Sequence, residues 1–193
     1  MLQRLSKHFY KYSTPFITIA SVVVFLLFSV TILPAQSAAA EAYSGSEGTP
    51  DLSFLYTPSD LYQMADQFGS GGRIAYVKAR FTFDLIFPII YGVFLVTTIS
   101  FLLDTLYQPS RWQRQLNLIP VAGVLFDLLE NSAASIVITR FPDLSPISAS
   151  LAPIFTLVKW IFVGGSFFLL ILCLILRIIK KIKKYPPNTK KRE

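Results

Sequence analysis

The most informative segment of the chain runs from Leu116 to Ile138 and reads LNLIPVAGVLFDLLENSAASIVI. It is long and apolar enough to cross a bilayer as a helix, which takes about 20 residues. Near its middle lie the carboxylates Asp127 and Glu130 and the amide Asn131. A charge at the centre of the hydrocarbon costs from about 3 to more than about 10 kcal/mol, so such residues usually face a protein interior, a cavity or a partner charge. The segment therefore predicts a membrane helix that carries a buried polar site.

The apolar residues elsewhere in the chain also fall in long blocks. Of the 193 residues, 53% are hydrophobic and only 15% are charged. Four blocks are long enough to span as helices, which satisfy their own backbone hydrogen bonds in lipid; they cover residues 15–33, 81–104, 116–138 and 151–176. The sequence predicts an all-α integral membrane protein, a bundle of four transmembrane helices with a short extracytoplasmic helix between spans one and two.

The distribution of lysine and arginine predicts the orientation of these spans. Most of the 18 basic residues lie in segments 1–14, 105–115 and 177–193. By the positive-inside rule these segments, and with them both termini, should be cytoplasmic. The connections 34–80 and 139–150 should then face outside. We expect the protein in the plasma or inner membrane.

The first apolar block allows two interpretations. Basic residues precede it and the small residues PAQSAAAE follow it, as in a secretory signal with a cleavage site. The block exceeds the ~7–15 apolar residues usual for a signal core, so we expect a retained anchor. Cleavage would leave three spans and an outside N-terminus without changing the orientation of the others.

The long outer connection divides into two parts. Residues from Ala38 to Asp51 are small and polar, and we expect a flexible linker there with no function of its own. A short helix over about 58–68 is predicted, because Thr57 can cap it, Pro58 suits its first position and Gly69 can end it. This helix should either lie in the outer headgroup region or cover the mouth of the bundle. The glycine-rich stretch after it should be a plain turn.

Charges on the third and fourth spans lie at similar depths, and Asp84 of the second span lies nearer the outer surface, roughly 5 Å down. Asp127, Glu130 and Asn131 share an arc of about 100° on the third span. At 1.5 Å per residue, Glu130 and Lys159 of the fourth span each lie roughly 12 Å below the outer surface. Two close carboxylates should share a proton near neutral pH, which a nearby lysine would oppose. Whether Lys159 pairs with Glu130 or with Asp127 stays open. The candidates for one outward-facing polar cavity are Arg80, Asp84, Tyr91, Asp127, Glu130, Asn131 and Lys159.

The chemistry of this site allows three hypotheses. The favoured one is binding or transport of an ion, a proton or a small polar solute from outside. The second is an enzyme acting on a lipid or isoprenoid in the outer leaflet, with the carboxylates as acid and base. The third is an accessory or assembly subunit whose polar network is purely structural. The sequence has no G-x-S-x-G, H-E-x-x-H or C-x-x-C motif, so catalytic residues stay unassigned and we expect no cofactor and no metal.

The C-terminal segment predicts contact with lipid. Five basic residues follow the fourth span directly and should attract anionic headgroups of the cytoplasmic leaflet at about 1 kcal/mol each; they are Arg177, Lys180, Lys181, Lys183 and Lys184. A homo-oligomer or a larger membrane complex is a further expected partner. The net charge of +7 is concentrated beside the spans, without a recognised binding fold, so nucleic acid is excluded as a partner.

Overall fold

A computed structural model describes residues 1–45, 48–50 and 53–184. Within these ranges the chain is helical throughout its main elements and contains no strand. The α-helices are α1 (Leu2–Tyr12), α2 (Pro15–Thr31), α3 (Leu33–Ser44), α4 (Pro58–Gln67), α5 (Gly69–Arg80), α6 (Phe83–Leu106), α7 (Ile119–Arg140) and α8 (Pro146–Lys184), with a 3₁₀ helix over Trp112–Leu118 directly before α7.

Four helical stretches are long and apolar enough to cross a membrane. They run over Pro15–Ser44, Gly69–Leu106, Trp112–Arg140 and Pro146–Lys183. The expected all-α bundle with four spans is confirmed, and the chain is an integral membrane protein. We call the end of the bundle that carries α4 the α4 end, which the sequence predicts to be outside. The opposite end, which carries α1, is the α1 end.

The first span is longer than its apolar block. Helix α2 starts at the capping residue Thr14, whose hydroxyl accepts a hydrogen bond from the Ile17 amide at 3.3 Å. Helix α3 follows α2 with only Ile32 between them. The expected flexible linker from Ala38 to Asp51 is therefore wrong up to Ser44, because its alanines form a helix instead; Asp51 itself lies outside the described residues.

Helix α4 forms as the sequence predicts. The Thr57 amide donates to Asp60 Oδ2 at 2.7 Å, and the Asp60 amide donates to Thr57 Oγ1 at 3.2 Å, which is a reciprocal capping box. The helix buries Leu61, Met64 and Ala65 against α7 and α8. Of the two placements considered for it, covering the mouth of the bundle is the observed one.

The chain between α4 and the second span differs from the expected loop. Gly69 has a φ of 61°, which glycine adopts without strain, and the chain leaves the axis of α4 there, as predicted. The rest of the expected glycine turn is helical, because α5 starts at Gly69 and continues to Arg80. The external segment therefore consists largely of helices rather than loop.

The third and fourth spans pack together along more of their length than any other pair of described helices. Helices α7 and α8 leave only residues 141–145 between them, so the connection is shorter than the expected 139–150. Helix α8 has 39 residues and continues past the expected end of the span at 176 up to Lys184. The remainder of the expected tail, residues 185–193, lies outside the described residues.

Helix α1 is held against the α1 end by buried polar contacts. The Ser6 hydroxyl donates to Asn117 Oδ1 at 2.8 Å, and Asn117 Nδ2 donates to Ser100 Oγ at 2.9 Å. The Tyr10 hydroxyl donates to the Arg114 carbonyl at 2.7 Å. Burial raises the pKa of Tyr10 to about 12, although the Arg114 guanidinium beside it acts in the opposite direction. These contacts hold α1 against the end of α6 and the 3₁₀ helix.

Candidate functional site

A buried ion pair joins α7 to α8 at the level of the site. Lys159 Nζ lies 2.5 Å from Glu130 Oε2 and 4.0 Å from Asp127 Oδ1. The side chain of Glu130 is only 1% exposed and that of Lys159 is 6% exposed. The sequence left open whether Lys159 pairs with Glu130 or with Asp127. In the structure Glu130 is the nearer carboxylate, and Asp127 is farther from the Lys159 ammonium.

Asp127 is held by two neutral donors. The Tyr91 hydroxyl, from α6, donates to Asp127 Oδ2 at 2.8 Å. Asn131 Nδ2 donates to Asp127 Oδ1 at 3.3 Å and to the Asp84 backbone carbonyl at 3.1 Å. Asn131 therefore ties α7 to the start of α6, and the site is connected through the three spans α6, α7 and α8.

A second ion pair lies at the junction of α5 and α6. Arg80 Nε is 3.0 Å from Asp84 Oδ2, and the Arg80 guanidinium lies 4.6 Å from the centre of the Tyr76 ring. The sequence placed Arg80 and Asp84 on one continuous helical face. The turn at Phe81 and Thr82 separates them into two helices, yet it keeps their side chains within contact.

These side chains border a cavity of about 570 Å³ at the α4 side of the bundle. Five of the seven candidates line it, namely Arg80, Asp84, Tyr91, Asp127 and Lys159. Glu130 and Asn131 do not line the cavity and lie behind this wall. The two carboxylates of α7 therefore occupy different positions: Asp127 is 15% exposed and borders the cavity, whereas Glu130 is enclosed by protein.

The remaining walls are mainly apolar and aromatic. They include Phe25, Phe83, Phe87, Trp160, Val163 and Phe167. The rings of Phe25 and Phe94 stack with centroids 4.5 Å apart, and Phe167 lies 6.4 Å from Phe25. This aromatic cluster forms the floor toward the α1 end. Below it, Leu95 and Ile99 are fully buried.

The segment expected to have no function also contributes to the cavity. Ala39, Ala40 and Tyr43 of α3 line it, and so does Thr49 beyond the helix. The expectation of a flexible linker is wrong here, because the alanine-rich sequence forms a helix that lines the cavity. The high helix propensity of alanine was the available signal.

The basic residues at the end of α8 lie far from this cavity. Lys180 Nζ donates to the Thr105 carbonyl at 2.7 Å, and the Arg177 guanidinium lies 4.9 Å from the centre of the Phe101 ring. Lys181 and Lys183 are exposed, and the side chain of Lys184 lies outside the described part of the structure. The binding of anionic lipid by this segment stays a prediction.

The arrangement favours recognition of a molecule with a polar and an apolar part, because charged groups and aromatic walls share one cavity. Within the described residues, no three His, Cys, Asp or Glu side chains come together closely enough to hold a metal ion. Comparison with protein-family models, with curated proteins and with solved structures finds no match to this chain.

Proposed function

We propose that this protein binds an amphiphilic molecule, such as a lipid or an isoprenoid, in the cavity at the α4 end. The observation that carries the proposal is the composition of a single cavity: the charged side chains of Asp84, Asp127 and Lys159 line it together with Phe25, Phe87 and Phe167. Its volume of about 570 Å³ lies within the range of roughly 300–1,000 Å³ typical of ligand pockets. This proposal replaces the favoured sequence-based hypothesis of an ion, a proton or a small polar solute, and it takes its class of ligand from the second hypothesis.

The order of polar and apolar groups along the membrane supports an amphiphile. On α8, Phe167 follows Lys159 by two turns toward the α1 end, which is about 12 Å along the helix axis. The charged level is therefore nearer the predicted outer surface, and the aromatic floor is nearer the middle of the bilayer. A lipid of the outer leaflet has the same polarity, with its headgroup outward and its hydrocarbon inward.

The packing beneath the cavity supports binding rather than passage through the membrane. The rings of Phe25, Phe94 and Phe167 close the floor, with Phe94 and Phe167 centroids 6.3 Å apart. Leu95 and Ile99 fill the next level and are fully buried. An ion leaving toward the α1 end would have to cross this apolar layer, at a cost of several kcal/mol without a partner.

Lipid analysis of the purified protein tests this proposal. Ala40 lines the cavity, and Ala38 is exposed two residues earlier on α3, about 200° around the helix. The Ala40→Trp variant should fill the cavity and lose the lipid that copurifies with the wild-type protein, as detected by native mass spectrometry. The Ala38→Trp variant is the matched control and should keep it. Equal lipid retention by both variants would contradict the proposal.

A second function, chemistry on the bound amphiphile, is supported by one specific contact. The Tyr91 hydroxyl donates to Asp127 at the cavity wall, and the Lys159 ammonium lies 4.0 Å from the same carboxylate. The Asp127 carboxyl group could accept a proton from a ligand headgroup or donate one to it. An enzyme should release altered lipid in its wild-type form, whereas the Asp127→Asn variant should accumulate the unaltered molecule. Identical lipid profiles from both proteins would contradict this chemistry and leave ligand binding as the remaining proposed function.

A further inference from the structure

We infer that the cavity opens sideways into the bilayer, between α8 and the helix pair α2 and α3, and that a membrane lipid lies through this opening. The inference rests on the proposed function, because it specifies where the ligand of that cavity comes from and how it is placed. It follows from the contacts that close the other sides of the cavity.

Aromatic packing narrows both ends of the cavity. At the α4 end, the Tyr43 ring of α3 lies 5.4 Å from that of Phe68 and 6.4 Å from that of Tyr76 on α5. A Cβ atom on Gly72 of α5 would come 3.2 Å from the Tyr43 Cβ, so α3 and α5 approach closely there. At the α1 end, the aromatic floor described above closes the cavity.

Direct contacts also join the helices on most sides of the cavity. Helix α2 is joined to α6 by the hydroxyls of Ser21 and Thr97, which are 2.8 Å apart. Helix α6 is joined to α7 by Asn131, which donates to the Asp84 carbonyl at 3.1 Å. The buried ion pair joins α7 to α8, and these two helices pack along most of their length.

The side between α8 and the pair α2 and α3 differs from the others. Among the described residues, α2 packs mainly on α6 and α3 on α5, and neither packs extensively on α8. The rings of Phe25 and Phe167, 6.4 Å apart, border this side at the floor. At the α4 end the Phe54 ring borders it, 5.0 Å from that of Trp160. Trp160 and Phe167 are seven residues apart on α8, so the opening is about 10 Å long.

The surroundings of this opening favour a lipid from the bilayer. Leu26 and Phe168, which follow the floor residues Phe25 and Phe167, are 53% and 69% exposed. Both lie in membrane spans, so hydrocarbon surrounds them. A cavity of about 570 Å³ suits a drug-sized ligand. A two-chain lipid must therefore leave part of its hydrocarbon in the bilayer, and an opening on this side allows that.

Photolabelling in bilayers measures whether a lipid chain enters the cavity. The protein is reconstituted with phosphatidylcholine that carries a diazirine in one acyl chain, and irradiation attaches this chain to the residues that it touches. Tyr91 lines the cavity and is 5% exposed, whereas Ile89, two residues earlier, is 52% exposed and reports lipid around the protein. The ratio of Tyr91 to Ile89 adducts, read by mass spectrometry, therefore reports lipid in the cavity.

The Gly164→Trp variant places a large ring at the opening. Gly164 is exposed, lies four residues after Trp160 and points within about 40° of it, whereas Gly165 points about 140° away. A Cβ atom at either glycine would meet no atom within 4 Å. Gly164→Trp should lower the adduct ratio about tenfold, because the ring and the lipid chain compete for one space. Gly165→Trp is the matched control and should leave the ratio unchanged.

The opposite edge of the opening provides a second pair of variants, which decides if Gly164→Trp does not fold. Ser37 of α3 is exposed and lines the cavity, and it points about 120° away from Tyr43, which faces α5. Ala38 is exposed and does not line the cavity. Ser37→Trp should lower the adduct ratio, and Ala38→Trp should not.

Each outcome separates the inference from the proposed function. Equal adduct ratios in Gly164→Trp and Gly165→Trp would overturn the sideways opening and leave amphiphile binding intact. Ala75 of α5 is exposed and also lines the cavity, so a fall confined to Ala75→Trp would place the entrance at α5 instead. Absence of Tyr91 adducts from the wild-type protein would overturn the bilayer lipid. If Ala40→Trp still abolishes lipid copurification in that case, amphiphile binding remains; otherwise both fail.

Discussion

Replacement of Lys159 by methionine tests the structural part of the site. Lys159 is buried between α7 and α8 and contacts Glu130, which is 1% exposed. Its loss would remove the cation that lies closest to the buried Glu130 carboxylate. Breaking a buried ion pair by removing one partner typically costs about 3–5 kcal/mol. We expect Lys159→Met to lower the free energy of unfolding by about this amount.

Replacement of Glu130 by methionine should lower the free energy of unfolding by less than Lys159→Met does. In Glu130→Met, Lys159 keeps Asp127 at 4.0 Å as an alternative partner. We expect a loss of about 2 kcal/mol, near the value of a hydrogen bond to a charged group. The double variant restores the original net charge and leaves no buried orphan of the pair. Because apolar replacement of a whole buried pair is often neutral, it should lose less than about 2 kcal/mol.

The assay is reversible unfolding in mixed micelles, followed by the helical circular dichroism signal. Asp104→Asn provides the control, because Asp104 pairs with Arg114 at 2.7 Å but is 61% exposed. Such exposed pairs contribute about 0–1 kcal/mol. A loss below about 1 kcal/mol for Lys159→Met would refute the reasoning. So would losses in the double variant that equal the sum of the two single ones.

Three further predictions concern other contacts. Gly92→Ala should cost about 1–3 kcal/mol in the same unfolding assay, because a Cβ there would come 2.5 Å from Val124 Cγ2; Gly164→Ala, with no atom within 4 Å, should be neutral or stabilising. Asn117→Ala should cost about 1–3 kcal/mol, because it leaves buried partners unsatisfied, and it should speed tryptic cleavage within α1; unchanged cleavage would contradict this. Hydrogen bonds from Thr57 hold the pKa of Asp60 below its usual value, so the capping contribution is complete above the usual pKa and disappears as the pH falls through the folded value. The protection factors of the α4 amides, which correct for the intrinsic pH dependence of hydrogen exchange, should therefore fall in acid, and Asp60→Asn should abolish that fall.

The spans and α4 could be predicted because each depends on local properties of the chain. A span is defined by about 20 consecutive apolar residues, whatever its neighbours do. Helix α4 is specified by Thr57, Pro58 and Asp60 at its start and by Gly69 at its end. Both signals are independent of tertiary contacts, so both elements can be predicted from the sequence alone.

Helices α3 and α5 were not predicted: the alanines of α3 favour a helix, but the contacts that stabilise both helices are tertiary. Tyr43 of α3 meets Phe68 at a centroid distance of 5.4 Å and Tyr76 of α5 at 6.4 Å. No periodic apolar pattern in either segment predicts this contact. Short helices gain most of their stability from tertiary packing rather than from propensity. The same reason explains why the linker interpretation was wrong for residues 38–44.

The location of the site followed from helical geometry, whereas its pairing did not. Depth arithmetic places Glu130 and Lys159 at one level, and the structure brings their side chains together. Asp127 lies three residues earlier, about 4.5 Å lower on the axis. A lysine side chain reaches farther than this difference, so side-chain packing has to select between the two carboxylates. Asn117 was missed because a single amide at the start of an apolar block does not by itself indicate a buried contact; its partners Ser6 and Ser100 are distant in sequence.

The structural and the functional hypotheses apply to different members of one cluster. Glu130 lies behind the cavity wall in contact with Lys159, and Asp127 lies on that wall. The first pair can fix α7 against α8, while Asp127 borders the cavity in which we propose that the ligand binds. Because the roles are spatially separate, two variants should fail in opposite ways. Glu130→Met should lose stability and retain the lipid that copurifies with the wild-type protein, whereas Asp127→Asn should lose that lipid with a smaller change in stability. If both variants lose both properties in equal measure, the buried charges act as one structural unit, and a separate ligand-binding role for Asp127 must be abandoned.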